Sequence, residues 1–371
     1  MNVKFYDSFT DELKKNWQEL EKSSEHYVFQ TYTWSKYWFD IICSDSKNIT
    51  LNIILVCDDD SKPQLIVPLY TKIKFGIKIL TFLGGSQSDY QTIIADRKLM
   101  NNICKLKEYY NYAKSVFPNS DIIHFEKVPE IIGNNRNILL DILKFYYQES
   151  TFSVKLPTTY NEFKTKIKSK ILNDIKRQVR RLNSLGAVEL NCQLKKEYEI
   201  EEINEMINQK RARYEATNVP DMFVDEKVYK FYLNLNKSPS DNFHIHFSTL
   251  KLNDNIIATH WGLVYLNRFY FLMPTYLMGE YSVFSPGKIL LNELINWSIE
   301  SKLNVFDFTI GSESYKKEWC DTEFFLFEHY MINSCRGYLY LLFIKTKRLA
   351  KRNPHVLKLA KISISLYRKL S

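Results

Sequence analysis

The chain has 371 residues, enough for two domains of ordinary size, each with its own core. With 45% hydrophobic and 25% charged residues its composition is globular rather than disordered, and 10 Gly and 10 Pro exclude collagen-like runs and long flexible linkers. The net charge of +9 is uneven: 336–371 carries ten Lys/Arg and no Asp or Glu, so the remainder sums to −1, which excludes a chain that coats nucleic acid along its whole length.

In chain order, the sequence predicts helices over Asp11–Lys22 and Trp34–Cys43. Strands over Thr50–Cys57 and Leu65–Lys74 follow, around the charged turn Asp58-Asp59-Asp60. A short strand at Ile79–Leu83, a helix over Lys98–Ser115 and a strand over Asp121–Phe125 complete the first half. A strand-like run then ends near Lys155, where Pro157 is poorly placed to continue it, so a domain boundary is expected there.

The second half repeats the element order with longer helices. Thr159 is the expected N-cap of a helix running to about Leu185, with Glu162 as its capping-box partner and Gly186 closing it. Ile167, Ile171, Ile175, Val179 and Leu182 form one apolar face, and the basic block Lys164–Arg181, eight Lys/Arg against Asp174 alone, occupies another. Helices Glu197–Ala216 and Asp225–Leu235 lead to a hairpin, Phe243–Lys251 and Ile256–Val264, and a third strand, Arg268–Pro274. A helix opening at Pro286 has a broad apolar face that predicts packing on a sheet. Strands over Val305–Ile310 and Glu323–Ile332 precede two basic helices, 337–352 and 355–369, split at Pro354.

Six cysteines without a CxxC pair argue against a zinc ribbon or thioredoxin-like motif and suggest a reducing compartment. His244 and His246 share a strand face without HxxxH spacing, and no metal is expected. The N-terminus has no apolar h-region, and no run reaches the ~20 apolar residues of a membrane span. A cytoplasmic protein is expected, with the basic 336–371 tail as a candidate peripheral contact with the anionic inner face of a membrane.

The candidate chemistry concentrates in 284–319. A helix that opens on Ser285, Pro286, Gly287 and Lys288 can present free N–H groups and a cation to an anionic ligand. His260 could deprotonate an amine, and Asp307 projects away from Phe306 and Phe308, toward an expected acceptor cleft. Arg213, Tyr214 and Trp261 are candidates to line the acceptor side.

FQTYTW at 29–34, LPTTYNEF at 156–163, the basic helix KSKILNDIKRQVRRLNSLG at 168–186, HWG at 260–262, SPGKILL at 285–291 and FDFTIGSESYKKEW at 306–319 carry a resemblance. In this order and spacing the chain resembles the GNAT acyltransferase superfamily, most closely the CelD/BcsL-like branch tied to cellulose and other exopolysaccharide synthesis, with FemAB/FemX-type transferases as cousins. The resemblance implies an α/β fold with mixed sheets: two tandem GNAT-like domains, a degenerate one at 1–155 and an acyltransferase domain at 156–335, followed by the basic tail. It implies an acyl-CoA donor, acetyl-CoA foremost, and an amine acceptor on a sugar nucleotide or glycan precursor. The FemX-type aromatic-Lys pair, which contacts substrate phosphates, falls on Tyr315 and Lys316; a Tyr hydroxyl there could instead protonate a leaving thiolate. The usual GNAT phosphate loop has several glycines, whereas Gly287 stands alone here, so an aminoacyl-tRNA donor stays open, as does a catalytically degenerate scaffold that recruits a polysaccharide synthase.

Overall fold

In the computed structural model, which describes residues 2–44, 46–194, 199–237, 243–311 and 313–352, the alternating apolar runs of both halves join one sheet. The first half contributes β1 Asn2–Tyr6, β2 Ile49–Cys57, β3 Pro63–Lys74, β4 Ile77–Phe82, β5 Ile122–Pro129 and β6 Tyr146–Lys155. The second contributes β7 Val188–Leu194, β8 His244–Leu252, β9 Asn255–Tyr265, β10 Arg268–Tyr276, β11 Val305–Ile310 and β12 Thr322–Ile332. Their spatial order is β1-β2-β3-β4-β5-β12-β6-β11-β10-β9-β8-β7, with Ile94–Ala95 adding a two-residue strand on β3.

Read from either end, that order matches each strand with the one six places along in the other half. The halves are thus related by a pseudo-two-fold. β4 pairs with β5 in parallel, as β10 does with β11, and each crossover carries a helix: α3 Ile103–Ser115 and α8 Pro286–Glu300. Two helices follow the first strand of each half, α1 Asp11–Ser23 and α2 Tyr32–Ile42, then α6 Ile200–Thr217 and α7 Glu226–Lys237. The central strands are exchanged. β6 pairs with β11 from Val305↔Lys155 to Ile310↔Thr151, and β12 pairs with β5, while β6 and β12 join each other.

The helix expected over 161–185 divides into α4 Tyr160–Lys166 and α5 Ser169–Asn183, because Ile167 adopts extended backbone and is buried and Lys168, at φ −54° and ψ 126°, is not helical either. Thr159 caps α4 as expected, its hydroxyl accepting from the Glu162 N–H at 3.2 Å. Glu162 does not complete the box; its carboxylate takes the Thr158 hydroxyl at 3.1 Å. Asn102 similarly splits the predicted 98–115 helix by capping α3, accepting from the Lys105 N–H at 3.0 Å. Strands β1 and β7 went unread because they are partly exposed edges with weak alternation.

One face of the sheet carries a core that both halves share: Trp17 and Trp34 of α1 and α2, Phe231 of α7, Trp261 of β9 and Tyr270 of β10. On the opposite face of the second half, Ile171, Ile175 and Leu182 of α5 and Leu290, Leu294 and Ile295 of α8 cover Phe269, Phe271, Phe306 and Phe308. α9 Cys335–Arg352 packs Tyr340 and Leu341 on Ile79 and Ile122 of β4 and β5. No helix among the described residues is long and apolar enough to cross a membrane, and the second tail helix expected over 355–369 lies outside them.

α9 is pinned by charge as well. Arg348 pairs with Glu328 of β12 and with Glu126 of β5 at 3.4 Å. Burial alone would raise the Glu328 pKa; His124, 3.7 Å away, together with Arg348 and Tyr330 overcomes it and holds the group at about 2. A depressed carboxylate stabilises the fold above its unfolded value of 4.5, and that contribution fades as pH falls toward about 2. Arg348→Ala is expected to cost roughly 1–3 kcal/mol at neutral pH, with a smaller deficit at pH 3. Urea denaturation at the two pH values checks it; an equal deficit at both would mean the loss is packing alone.

Candidate active site

β10 and β11 are hydrogen bonded only over Arg268↔Val305, Phe269↔Phe306 and Tyr270↔Asp307, after which they diverge. Asp307 stands at that last rung. Its carboxylate accepts from Arg268 Nη1, the Tyr90 hydroxyl and the Thr309 N–H, each at 2.8 Å, and it is fully buried. The register against β6 slips between Asp307 and Thr309, and Thr309 takes φ 55°, an unfavourable conformation for a β-branched residue. Pro274, which has no N–H to donate, falls beyond the last rung with β11, where β10 has become an edge.

The gap between the diverging strands opens into two cavities with shared walls. One, of about 240 Å³, lies against the start of α8 and is bounded by Thr275, Tyr276, Ser285, Gly287, Lys288 and Trp319. The other, of about 520 Å³, lies between the first-half loop carrying Ser86 and Asp89 and the residues Lys210, Tyr214, Thr309 and Lys316. Arg213, Phe271, Pro274 and Tyr315 line both, so a ligand entering from one side meets a ligand entering from the other.

At the α8 side the backbone offers little. Ser285 sits in the left-handed region at φ 52° with no side-chain cap, and Pro286 has no N–H. The N–H groups of Lys288 and Ile289 both turn back to the Ser285 carbonyl, at 2.9 and 3.2 Å. Gly287 thus supplies the one first-turn amide without a partner among the described residues, and a Cβ there would come 3.3 Å from the Tyr276 ring. Cations supply the rest. Lys288 reaches Asp174 of α5 at 3.5 Å, and a groove of about 600 Å³ continues from there past Lys168, Lys170 and Arg177, with Glu318 on its other wall.

The α6 side is built from charges held close. Lys210 Nζ donates to the Pro274 carbonyl at 3.3 Å; burial and the positive charges of Arg213 and Lys316, partly offset by Glu313, bring its pKa down to about 8. Lys316 is buried, donating to the Ile310 carbonyl at 2.8 Å and pairing with Glu313 at 3.0 Å. Gly311, at φ 124°, makes that approach feasible: a Cβ would lie 2.4 Å from Glu313 Oε2 and 3.0 Å from Lys316 Nζ. Asp89 is half-buried, and burial pushes its pKa up despite the neighbouring Lys127, Thr309 and Lys316. Burial likewise raises the Tyr315 phenol, which stays protonated at neutral pH.

The fold therefore gathers Ser285, Pro286, Gly287, Lys288, Lys316, Tyr315, Arg213 and Tyr214 around one cleft. Three sequence candidates lie elsewhere. His260 is fully buried beneath α8, stacked on Phe271 at 4.6 Å and beside His246, and burial drives its pKa far below neutrality, so it is a neutral core residue rather than a base. Trp261, its neighbour in β9, points to the opposite face and packs on Tyr232 in the shared core. Asp307 is committed to its buried ion pair and does not reach solvent. Asp89, Lys210 and Thr309 were missed. The signal for Asp89 was the repeated element order: Gly84-Gly85-Ser86 follows β4 as the loop before Ser285 follows β10.

One cluster away from the cleft has metal-ligand character. His124, Glu126 and Glu328 place ligand atoms within 4.8 Å of one another, but Arg348 already holds both carboxylates.

Residues 169–317 match the acetyltransferase (GNAT) domain family. Among solved structures the chain is similar to FemX, with TM-score 0.63 and 12% identity over 92% of this chain and 99% of that one. It is also similar to a conserved protein of unknown function from Bacteroides thetaiotaomicron VPI-5482, with TM-score 0.52 and 11% identity over 90% and 100% of the two chains. L-PGS from Bacillus licheniformis follows, with TM-score 0.50 and 10% identity over 91% and 97%. No curated protein matches the chain. At these identities the structures speak for the fold, and the family match for a GNAT acyltransferase domain in the half that forms the cleft.

Proposed function

We propose that this acyltransferase moves an acyl group, acetyl in the simplest case, from an acyl-CoA thioester to an amine on a phosphate-bearing sugar or cell-envelope glycan precursor. The observation that supports this most is the pair of cavities meeting at the strand divergence, each with cations at its wall. The thioester would enter past Gly287 and Lys288, its phosphates meeting Lys288 and the basic wall of α5. The acceptor would enter between Asp89 and α6.

The step is a direct displacement. Asp89 takes a proton from the acceptor ammonium, the free amine nitrogen bonds to the thioester carbon, and the carbon–sulfur bond breaks. Tyr315 gives its phenolic proton to the departing thiolate and recovers one through water from the nitrogen, which sheds its second proton as the amide forms; Asp89 releases its proton to solvent. Lys210 and Arg213 face the region where negative charge develops on the carbonyl oxygen. Titration calorimetry with acetyl-CoA, longer acyl-CoAs and CoA tests the reading: saturable heat is expected, and none with any of them would overturn it.

A second donor, aminoacyl-tRNA, is favoured by a specific observation: the basic groove along α5 runs on beyond the cavity, while the α8 start offers a single free amide. It predicts binding of charged tRNA that weakens steeply between 50 and 200 mM salt, by about 10²-fold for phosphate contacts at the four groove cations. Filter binding of aminoacyl-tRNA and deacylated tRNA at the two salt concentrations decides between the donors.

A further inference from the structure

α9 is apolar on two opposite faces. Its inner face, Tyr340, Leu341, Ile344 and Arg348, meets the sheet and the Glu126–Glu328 pair. Its outer face carries Tyr338, Leu339, Leu342, Phe343 and Leu349, all exposed, the last by 65%. At 100° per residue these five occupy an arc of about 140° pointing away from the body. Lys345 borders that arc on one side, and Arg336 and Lys347 border it on the other. No Asp or Glu occurs between Glu328 and Arg352.

The turn between β3 and β4 extends the same surface. Phe75 at its tip is 81% exposed and adopts φ 53°, a left-handed conformation that is unfavourable for a bulky side chain. Folding gains no burial from it in return. Lys74 Nζ lies 5.7 Å from the Phe75 ring, and the ring itself meets Phe343 of α9 edge-on at 6.5 Å. The turn and the helix thus present one continuous apolar ridge set among cations.

We infer that this ridge, Phe75 with the outer stripe of α9, docks the protein on an anionic lipid surface, with the apolar side chains in the acyl boundary and the flanking cations at the headgroups. A convex apolar stripe between two rows of cations suits the plane of a membrane interface, where both parts are satisfied together. A protein groove would have to bury the cations that border the stripe. The inference does not depend on the acyl-transfer reading.

The test is co-sedimentation of the full chain with vesicles of phosphatidylcholine alone and with a third phosphatidylglycerol. Partition is expected onto the anionic vesicles and to weaken at high salt. The double variant Leu339→Glu/Leu342→Glu should lower the partition coefficient by about tenfold or more. Phe75→Ser, at an exposed turn, should lower it severalfold without loss of thermal stability, which keeps the test valid if the helix variant folds poorly. No partition, equal partition onto neutral vesicles, or unchanged partition of both variants would overturn the inference. So would a concentration-dependent dimer in solution that the same variants abolish, since the ridge would then join two copies of the chain.

Discussion

Asp307→Ala is expected to lower the free energy of unfolding by about 3–5 kcal/mol, as for other buried pairs that lose one partner. The carboxylate is fully buried, and its partner Arg268 is 17% exposed and ringed by Tyr27, Tyr90 and Tyr270. Removing Asp307 strands that guanidinium among phenol rings and also leaves the Tyr90 hydroxyl and the Thr309 N–H without their acceptor. The pair braces β10 against β11 across the three rungs before they diverge, and Tyr90 brings in the first half, so the damage should reach the cleft. Denaturant titration checks the magnitude. Asp307→Asn keeps an acceptor and should lose less stability while retaining measurable turnover. Full stability with abolished turnover would restore Asp307 as the catalytic base.

Asp89→Asn is expected to lower kcat by about 10²–10⁴-fold, the usual contribution of a general base. Its effect on stability should run the other way. Burial raises the folded-state pKa of Asp89 above its ordinary 3.8, so the group favours folding most below that pH and loses this contribution as pH rises through its folded value. The asparagine stays neutral and escapes that loss, making the variant equal to or more stable than the parent at pH 7. The acid limb of the parent's pH–rate profile should reflect the raised carboxylate and vanish in the variant. Unchanged kcat would remove Asp89 from the reaction and leave the proton to water or to the acceptor itself.

Much of the local structure was readable because its causes lie within a few residues. Thr159 caps α4, Pro286 opens α8, and the Ile171, Ile175 and Leu182 face of α5 is the buried one. The cleft residues Ser285 to Lys288 and Tyr315-Lys316 stood out for the same reason, being short contiguous segments that line the two adjoining cavities. Asp307 and His260 show where that reading stops. Alternation along β11 and β9 separates two faces of a strand, but helices cover both faces of this central sheet, so neither face opens on solvent.

The sequence by itself determined the periodic elements, the repeated order of the two halves, and the cationic character of α5 and of the helix after β12. Hydrophobic period, caps and charge are local properties, and they survive without knowledge of the partner strand. Only the tertiary structure decided which strands stand beside β11. The exchange of β6 and β12 depends on pairings 150 residues apart or more, such as Val305↔Lys155 and Thr322↔Ser153, whose hydrogen bonds leave no mark on either segment alone. The same long-range pairing carries the Asp89 loop of the first half to Thr309 and Lys316 of the second. The cleft is therefore a product of how the two halves interlock, which no single stretch of the chain encodes.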